Sequence, residues 1–158
     1  MTAEPATGPV AQESATLPVL VLCTGNSCRS QMAEGFLRHH GASHHPPIEA
    51  HSAGLEPKPV HPLAIRVMQE AGVDIASQTS KSMRSYLGHK LFATTIVVCA
   101  EAERACPRVF PFSPSHEFWP FDDPAAIEGT EEEVLAAFRR VRDQIEQRVR
   151  EWLAAQAG

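Results

Sequence analysis

Leu17-Pro18-Val19-Leu20-Val21-Leu22-Cys23 runs straight into Thr24-Gly25-Asn26-Ser27-Cys28-Arg29-Ser30, and a helical pattern starts at Gln31. A continuous apolar run of this kind is the mark of a strand buried on both faces of a parallel sheet. A strand-to-helix turn follows at its carboxyl end. Consecutive backbone N–H groups in such a loop converge on an anion, and the helix N-terminus adds partial positive charge. Arg29 supplies a planar fork for two of the anion's oxygens. The loop residues Thr24, Gly25, Asn26, Ser27, Cys28, Arg29 and Ser30 are therefore candidate oxyanion ligands, with Cys23 as nucleophile. The same positive field is expected to bring the Cys23 pKa well below ~8.5. Only one thiol can face the anion, so Cys28 is read as structural.

Outward from the loop, Met32, Phe36 and Leu37 fall at helical spacing within Gln31 to His40, and Gly41 to Pro47 reads as a loop. Ile48 to Ala53, closed by Gly54, is a short strand. His61-Pro62 opens a helix with the stripe Leu63, Val67, Met68 and Ala71, and Gly72 stops it. Ser82 to Leu87 reads as a weaker helical turn. Thr94 to Cys99 is β-branched and apolar, a further strand ending on a cysteine. The proline-rich stretch from Pro107 to Pro124 reads mostly as loop, with a short edge strand over Glu117 to Phe121. Thr130-Glu131-Glu132-Glu133 is a capping box for a long final helix carrying Val134, Phe138, Val141, Ile145, Val149 and Trp152. Strands alternating with helices predict an α/β domain with a parallel sheet. Ligands bind at the carboxyl ends of such strands, where Cys23 and Cys99 both sit.

At 158 residues the chain is expected to form one domain burying about two-thirds of its unfolded surface. Residues 1–16, rich in Ala, Thr, Glu and Pro, read as a disordered extension, and residues 17–158 as the domain. The net charge of −5 argues against a nucleic-acid partner. No secretory signal is legible, and no apolar run approaches the ~20 residues that span a bilayer, so the expected location is the cytoplasm.

Four cysteines occur, at 23, 28, 99 and 106. Structural disulfides suit short exported chains better, and neither pair has zinc-ligand spacing, so no metal is expected. The histidines at 39, 40, 44 and 45 read as solvated loop residues. Glu131 to Glu133 fits a helix start, favoured by the macrodipole. Phe118, Trp119 and Phe121 read as core.

The loop Cys23-x5-Arg29-Ser30 resembles that of the low-molecular-weight tyrosine phosphatases. The longer run Cys-Thr-Gly-Asn-Ser-Cys-Arg-Ser-Gln-Met-Ala-Glu, from Cys23 to Glu34, is more specifically similar to the arsenate reductases on that fold. Ser52-Ala53-Gly54, Thr79-Ser80, Phe121-Asp122-Asp123-Pro124 and Arg140-Val141-Arg142-Asp143 follow in matching order. Cys99-x6-Cys106 resembles the redox pair of the thioredoxin-coupled members. The resemblance covers nearly everything after Leu17 and implies a three-layer domain with four parallel strands in the order 2-1-3-4.

It implies a chemistry as well. Cys23 attacks arsenate, Arg29 and the loop amides hold the oxygens, and Asp123 protonates the departing oxygen. Cys99 then attacks Cys23 and expels arsenite, Cys106 attacks Cys99, and thioredoxin reduces the resulting disulfide. Phosphate and sulfate would compete as oxyanions, and the chain is expected to act as a monomer with no tightly bound cofactor. Asn26, Glu34, Ser52 and Thr79 are implied to stabilise the loop. Potassium-binding members carry an Asp where this chain has Lys81, whose ammonium is expected to replace the cation. The alternative implied by the same fold is phosphomonoester hydrolysis through a phosphocysteine on Cys23. The phosphatases usually follow the proline with an aromatic residue, however, and Ala125 stands there.

Spacing alone adds a constraint. If residues 100–105 are helical, a rise of ~1.5 Å per residue sets Cys99 and Cys106 about 10 Å apart. A disulfide needs Cα atoms within about 7 Å. The segment must therefore change conformation when the two thiols join.

Overall fold

The computed structural model describes residues 15–109 and 113–157, the side chains of 105–109 and 157 excepted. The strands β1 (Leu17–Cys23), β2 (Ile48–Gly54), β3 (Thr94–Val97) and β4 (Ser115–Phe118) form one sheet in the order β2-β1-β3-β4. All three pairings are parallel. The α/β class and the strand order are those expected from the sequence. Val19, Leu20, Val21 and Leu22 are 0–1% exposed, so β1 is apolar throughout because both of its faces are covered.

The helices are α1 (Arg29–Gly41), α2 (Pro62–Glu70), α3 (Ala100–Val109) and α4 (Glu131–Ala157). α4 packs on α1 and α2, and α3 lies against β1 and β3. α2 starts where His61 accepts a hydrogen bond from the Leu63 N–H at 3.1 Å, with Pro62 in the first turn. The chain leaves it through Gly72 at φ +82°, a conformation that favours glycine. In α4 the Thr130 hydroxyl accepts from the Glu133 N–H, and the Glu133 carboxylate accepts from the Thr130 N–H, closing the capping box.

Several boundaries differ from the sequence reading. α1 extends to Gly41, so His39 and His40 are helical rather than loop residues, and His40 bonds Glu146 of α4 at 2.8 Å. The turn within 82–87 is a short 3-10 helix over Met83–Ser85. β3 ends at Val97, two residues before Cys99. α3 continues past Pro107, where a loop was expected. The edge strand is Ser115–Phe118 rather than 117–121, and it stops ahead of Pro120, whose ring nitrogen has no hydrogen to donate. Phe118 is 40% exposed and lies outside the core, whereas Trp119 is buried against Trp152. Most of the segment expected to be disordered, residues 1–14, lies outside the described residues. Thr16 beside it donates to Glu49 at 2.9 Å. Among the described residues no helix is long and apolar enough to cross a membrane.

Candidate active site

The sheet delivers Cys23 as the last residue of β1, and α1 begins at Arg29, so the connecting loop lies across the carboxyl end of the central strand. Cys28 occupies the N-cap position of α1 without a side-chain capping bond, so no side chain of its own blocks that end. The loop carbonyls are taken up from outside. Leu55, Glu56, Lys58 and His61 donate backbone N–H groups to the carbonyls of Cys23, Thr24, Gly25 and Ser27 at 2.8–3.2 Å. Gln31 Nε2 donates to the Asn26 carbonyl at 2.9 Å, and the Ser80 hydroxyl to Gly25 at 3.4 Å. These bonds occupy the loop carbonyls, which leaves the loop N–H groups for the anion that a backbone nest holds.

Asn26 sits at φ +50°, the left-handed region in which Asn is among the tolerated residues. Its amide nitrogen donates to Ser30 at 2.8 Å and Ser52 at 2.9 Å, and its amide oxygen accepts the Lys81 backbone N–H at 2.8 Å. Ser52 in turn donates to the Glu34 carboxylate. Asn26, Ser30 and Ser52 are fully buried, so the bonds satisfy groups that would otherwise be costly to bury. The Lys81 ammonium donates to the Thr79 carbonyl at 2.6 Å and stands 4.0 Å from Glu34. The ammonium therefore lies beside Glu34, whereas Asn26 meets the Lys81 main chain. Thr79 likewise contributes its carbonyl, which also accepts from Gln31 at 3.0 Å.

A cavity of about 270 Å³ opens over the loop, lined by Cys23, Thr24, Gly25, Ser27, Cys28 and Arg29. Lys58, His61, Glu101, Asp123 and Ala125 complete its wall. Arg29 Nη1 donates to the Phe121 carbonyl at 2.9 Å and Nη2 lies 3.7 Å from Asp123 Oδ2. Asp123 also accepts the Ala125 N–H at 3.0 Å, so it caps the turn at Pro124 and faces the cavity at once. Burial lowers the His61 pKa, partly opposed by Asp123. Sequence reasoning missed Lys58, His61 and Glu101 as wall residues. The first two belong to a Pro-rich connection with no chemical motif, and all three reach the cavity only through crossovers that carry β2 and β3 back to the loop.

Cys99 enters from the end of β3, and its thiol shares a hydrogen bond with that of Cys23. That bond and then burial push Cys23 upward, against the pull of Arg29. The same bond holds Cys99 down, aided by the Thr24 hydroxyl at 3.4 Å and the Ala102 N–H at the start of α3. The low Cys23 pKa expected from the positive field of the loop is thus opposed here by the neighbouring thiol and by burial. The Thr24 hydroxyl also reaches Glu101 at 3.5 Å. Burial raises Cys28 to about 11, against the opposing pull of the Ser27 hydroxyl and Arg29. The cysteines at 23, 28 and 99 are free thiols. Cys106 falls on α3, and its side chain lies outside the described residues. Among the described residues no group of three or more His, Cys, Asp or Glu could hold a metal ion.

Comparison with known proteins agrees with this geometry. An arsenate reductase of Bacillus licheniformis is 44% identical over 84% of this chain and 91% of its own, and one of Bacillus subtilis is 41% identical over 85% and 93%. The solved structure of an arsenate reductase in the phosphate binding state superposes with a TM-score of 0.74 at 34% identity, covering 90% of this chain and all of that one. Wzb of Vibrio vulnificus, in complex with benzylphosphonate, shares the fold at a TM-score of 0.72 and 20% identity. The family model of the low molecular weight phosphotyrosine protein phosphatases matches residues 18–157, and the chain belongs to that family.

Proposed function

We propose that this protein reduces arsenate to arsenite by a relay of Cys23, Cys99 and Cys106, with thioredoxin as the final reductant. The observation that carries the reading is the placement of Cys99, just past the end of β3, next to the strand that ends on Cys23, with the Thr24 hydroxyl of the loop 3.4 Å from the Cys99 sulfur. Hydrolysis needs one thiol, and a second held against it has a use only if electrons leave through it.

Arsenate binds in the loop, and the proton shared by the thiol pair passes to an arsenate oxygen as Cys23 forms an S–As bond. Asp123 protonates the departing oxygen, which leaves as water. Cys99 attacks the Cys23 sulfur, the S–As electron pair stays on arsenic, and arsenite departs as As(III). Two thiols have become one disulfide, which supplies the two electrons. Cys106 then attacks Cys99, and thioredoxin reduces the Cys99–Cys106 bond. The names of the relatives support arsenate as substrate, and Thr24 at the Cys99 sulfur and the α3 N-terminus beside it favour a Cys99 thiolate at neutral pH. The Lys81 ammonium, between Glu34 and the Thr79 carbonyl, takes the role of a loop-bound potassium ion.

The test is arsenate-dependent NADPH consumption with thioredoxin and its reductase. Wild type should turn over continuously, and Cys106→Ser should release about one arsenite per protein and stop. Unimpaired multiple turnover by Cys106→Ser would refute the relay. Cys23, Arg29 and Asp123 together also suit phosphomonoester hydrolysis through a phosphocysteine. That reading is favoured if Cys99→Ser retains aryl phosphate hydrolysis and wild type reduces no arsenate.

A further inference from the structure

Among the described residues lining the cavity, Arg29 and Lys58 carry permanent positive charge. Arg29 is already engaged by the Phe121 carbonyl and by Asp123. Lys58 is exposed, and no carboxylate within ion-pair distance neutralises it among the described residues. Its placement is nevertheless firm. Pro57 and Pro59 flank it, which restricts its backbone to extended conformations, and its N–H donates to the Gly25 carbonyl at 2.8 Å. Its stem lies along the loop: a Cβ at Gly25 would stand 3.7 Å from Lys58 Cδ, ordinary van der Waals contact.

A tetrahedral anion that presents three oxygens to the loop amides and Arg29 directs its fourth toward the mouth. Lys58, His61, Glu101, Asp123 and Ala125 form the cavity wall beyond the loop, and no Phe, Tyr or Trp is among the described residues that line it. We propose that Lys58 is a specificity-determining residue, its ammonium meeting the outward oxygen of an inorganic oxyanion and so favouring it over an organic monoester. In arsenate or phosphate that oxygen bears charge or a proton and is a strong acceptor. In a monoester it bridges to carbon, accepts weakly, and brings an organic group against charged side chains. The proposal deepens the arsenate reading and rests on it for the identity of the substrate.

The test is calorimetric binding of inorganic phosphate and of phenylphosphonate to the reduced full chain at fixed ionic strength. Lys58→Met should weaken phosphate about five- to tenfold and phenylphosphonate less than twofold, and Lys58→Arg should restore most of the difference. Equal weakening of both ligands would reduce Lys58 to a general field effect, and no weakening would remove it from the site. Either result overturns the proposal. In turnover, the KM for arsenate should rise in step with the phosphate Kd. If wild type reduces no arsenate, the reading of the reaction falls, while the ratio of the two binding constants still decides the role of Lys58.

Discussion

At the scale of single residues, the thiol pair sets the reactivity of the site. Because Cys99 is held down by the Cys23 hydrogen bond, its alkylation by iodoacetamide should be half-maximal at a pH below the ordinary ~8.5 of a free thiol. Cys28, raised to about 11, should stay unlabelled at neutral pH. Cys23→Ser removes a thiol donor and should move the Cys99 midpoint upward, and an unshifted midpoint would show that Thr24 and α3 hold the charge alone. Asn26 is the other decisive residue. Asn26→Ala leaves Ser30, Ser52 and the Lys81 N–H short of partners and places a β-carbon in the left-handed region. Urea unfolding should show a loss of about 2–4 kcal/mol, of which Asn26→Gly returns only the backbone part of about 1 kcal/mol. Lys81→Asp should make turnover depend on potassium where wild type does not. These partners were named from the sequence because the loop and Ser52-Ala53-Gly54 are written as short motifs. Lys58 and Glu101 were not, since a lone charge in a loop or a helix start has no signature until the fold shows what it faces.

At the scale of elements, α3 is the segment under tension between two tasks. In this structure it is helical from Ala100 to Val109, and its first turn helps hold the Cys99 charge. Helical rise puts the Cys99 and Cys106 backbones about 10 Å apart, beyond disulfide reach. Amide exchange over 100–106 should therefore accelerate at least tenfold when the two cysteines are joined, and equal protection in both states would contradict the relay. The sequence placed β1 and α4 well because a doubly buried strand and a capped amphipathic helix each carry their full pattern locally. It misplaced the edge strand β4 because Ser115–Phe118 is half exposed along its length and owes its conformation to pairing with β3. It left open whether residues 100–105 are helical and read a loop from Pro107, because proline normally marks a helix boundary; here the helix runs through it, and the N–H that proline lacks is the one that would meet Glu103.

At the scale of the molecule, a second cluster braces the sheet edge away from the site. Glu49 on β2 gathers Thr16, His51 and Lys90, and Tyr86 and Phe92 meet the His51 ring edge to face. The Lys90 ammonium and then His51 hold the Glu49 carboxyl at about 2, against an ordinary 4.5. A depressed carboxyl stabilises above its unfolded pKa and loses that stabilisation as pH falls through the folded value. Glu49→Gln should thus be less stable than wild type at pH 7, by under about 1 kcal/mol for so exposed a carboxyl. The gap should close between pH 4.5 and 2 in thermal unfolding. The cavity has a consequence at the same scale. Cys23 is 3% exposed and lines the cavity floor, so an anion resting on the loop covers the route by which a reagent reaches it. Inorganic phosphate resting there should act as a preservative: it should slow inactivation by hydrogen peroxide in proportion to its occupancy, so that the idle protein keeps its Cys23 thiol longest where phosphate is abundant.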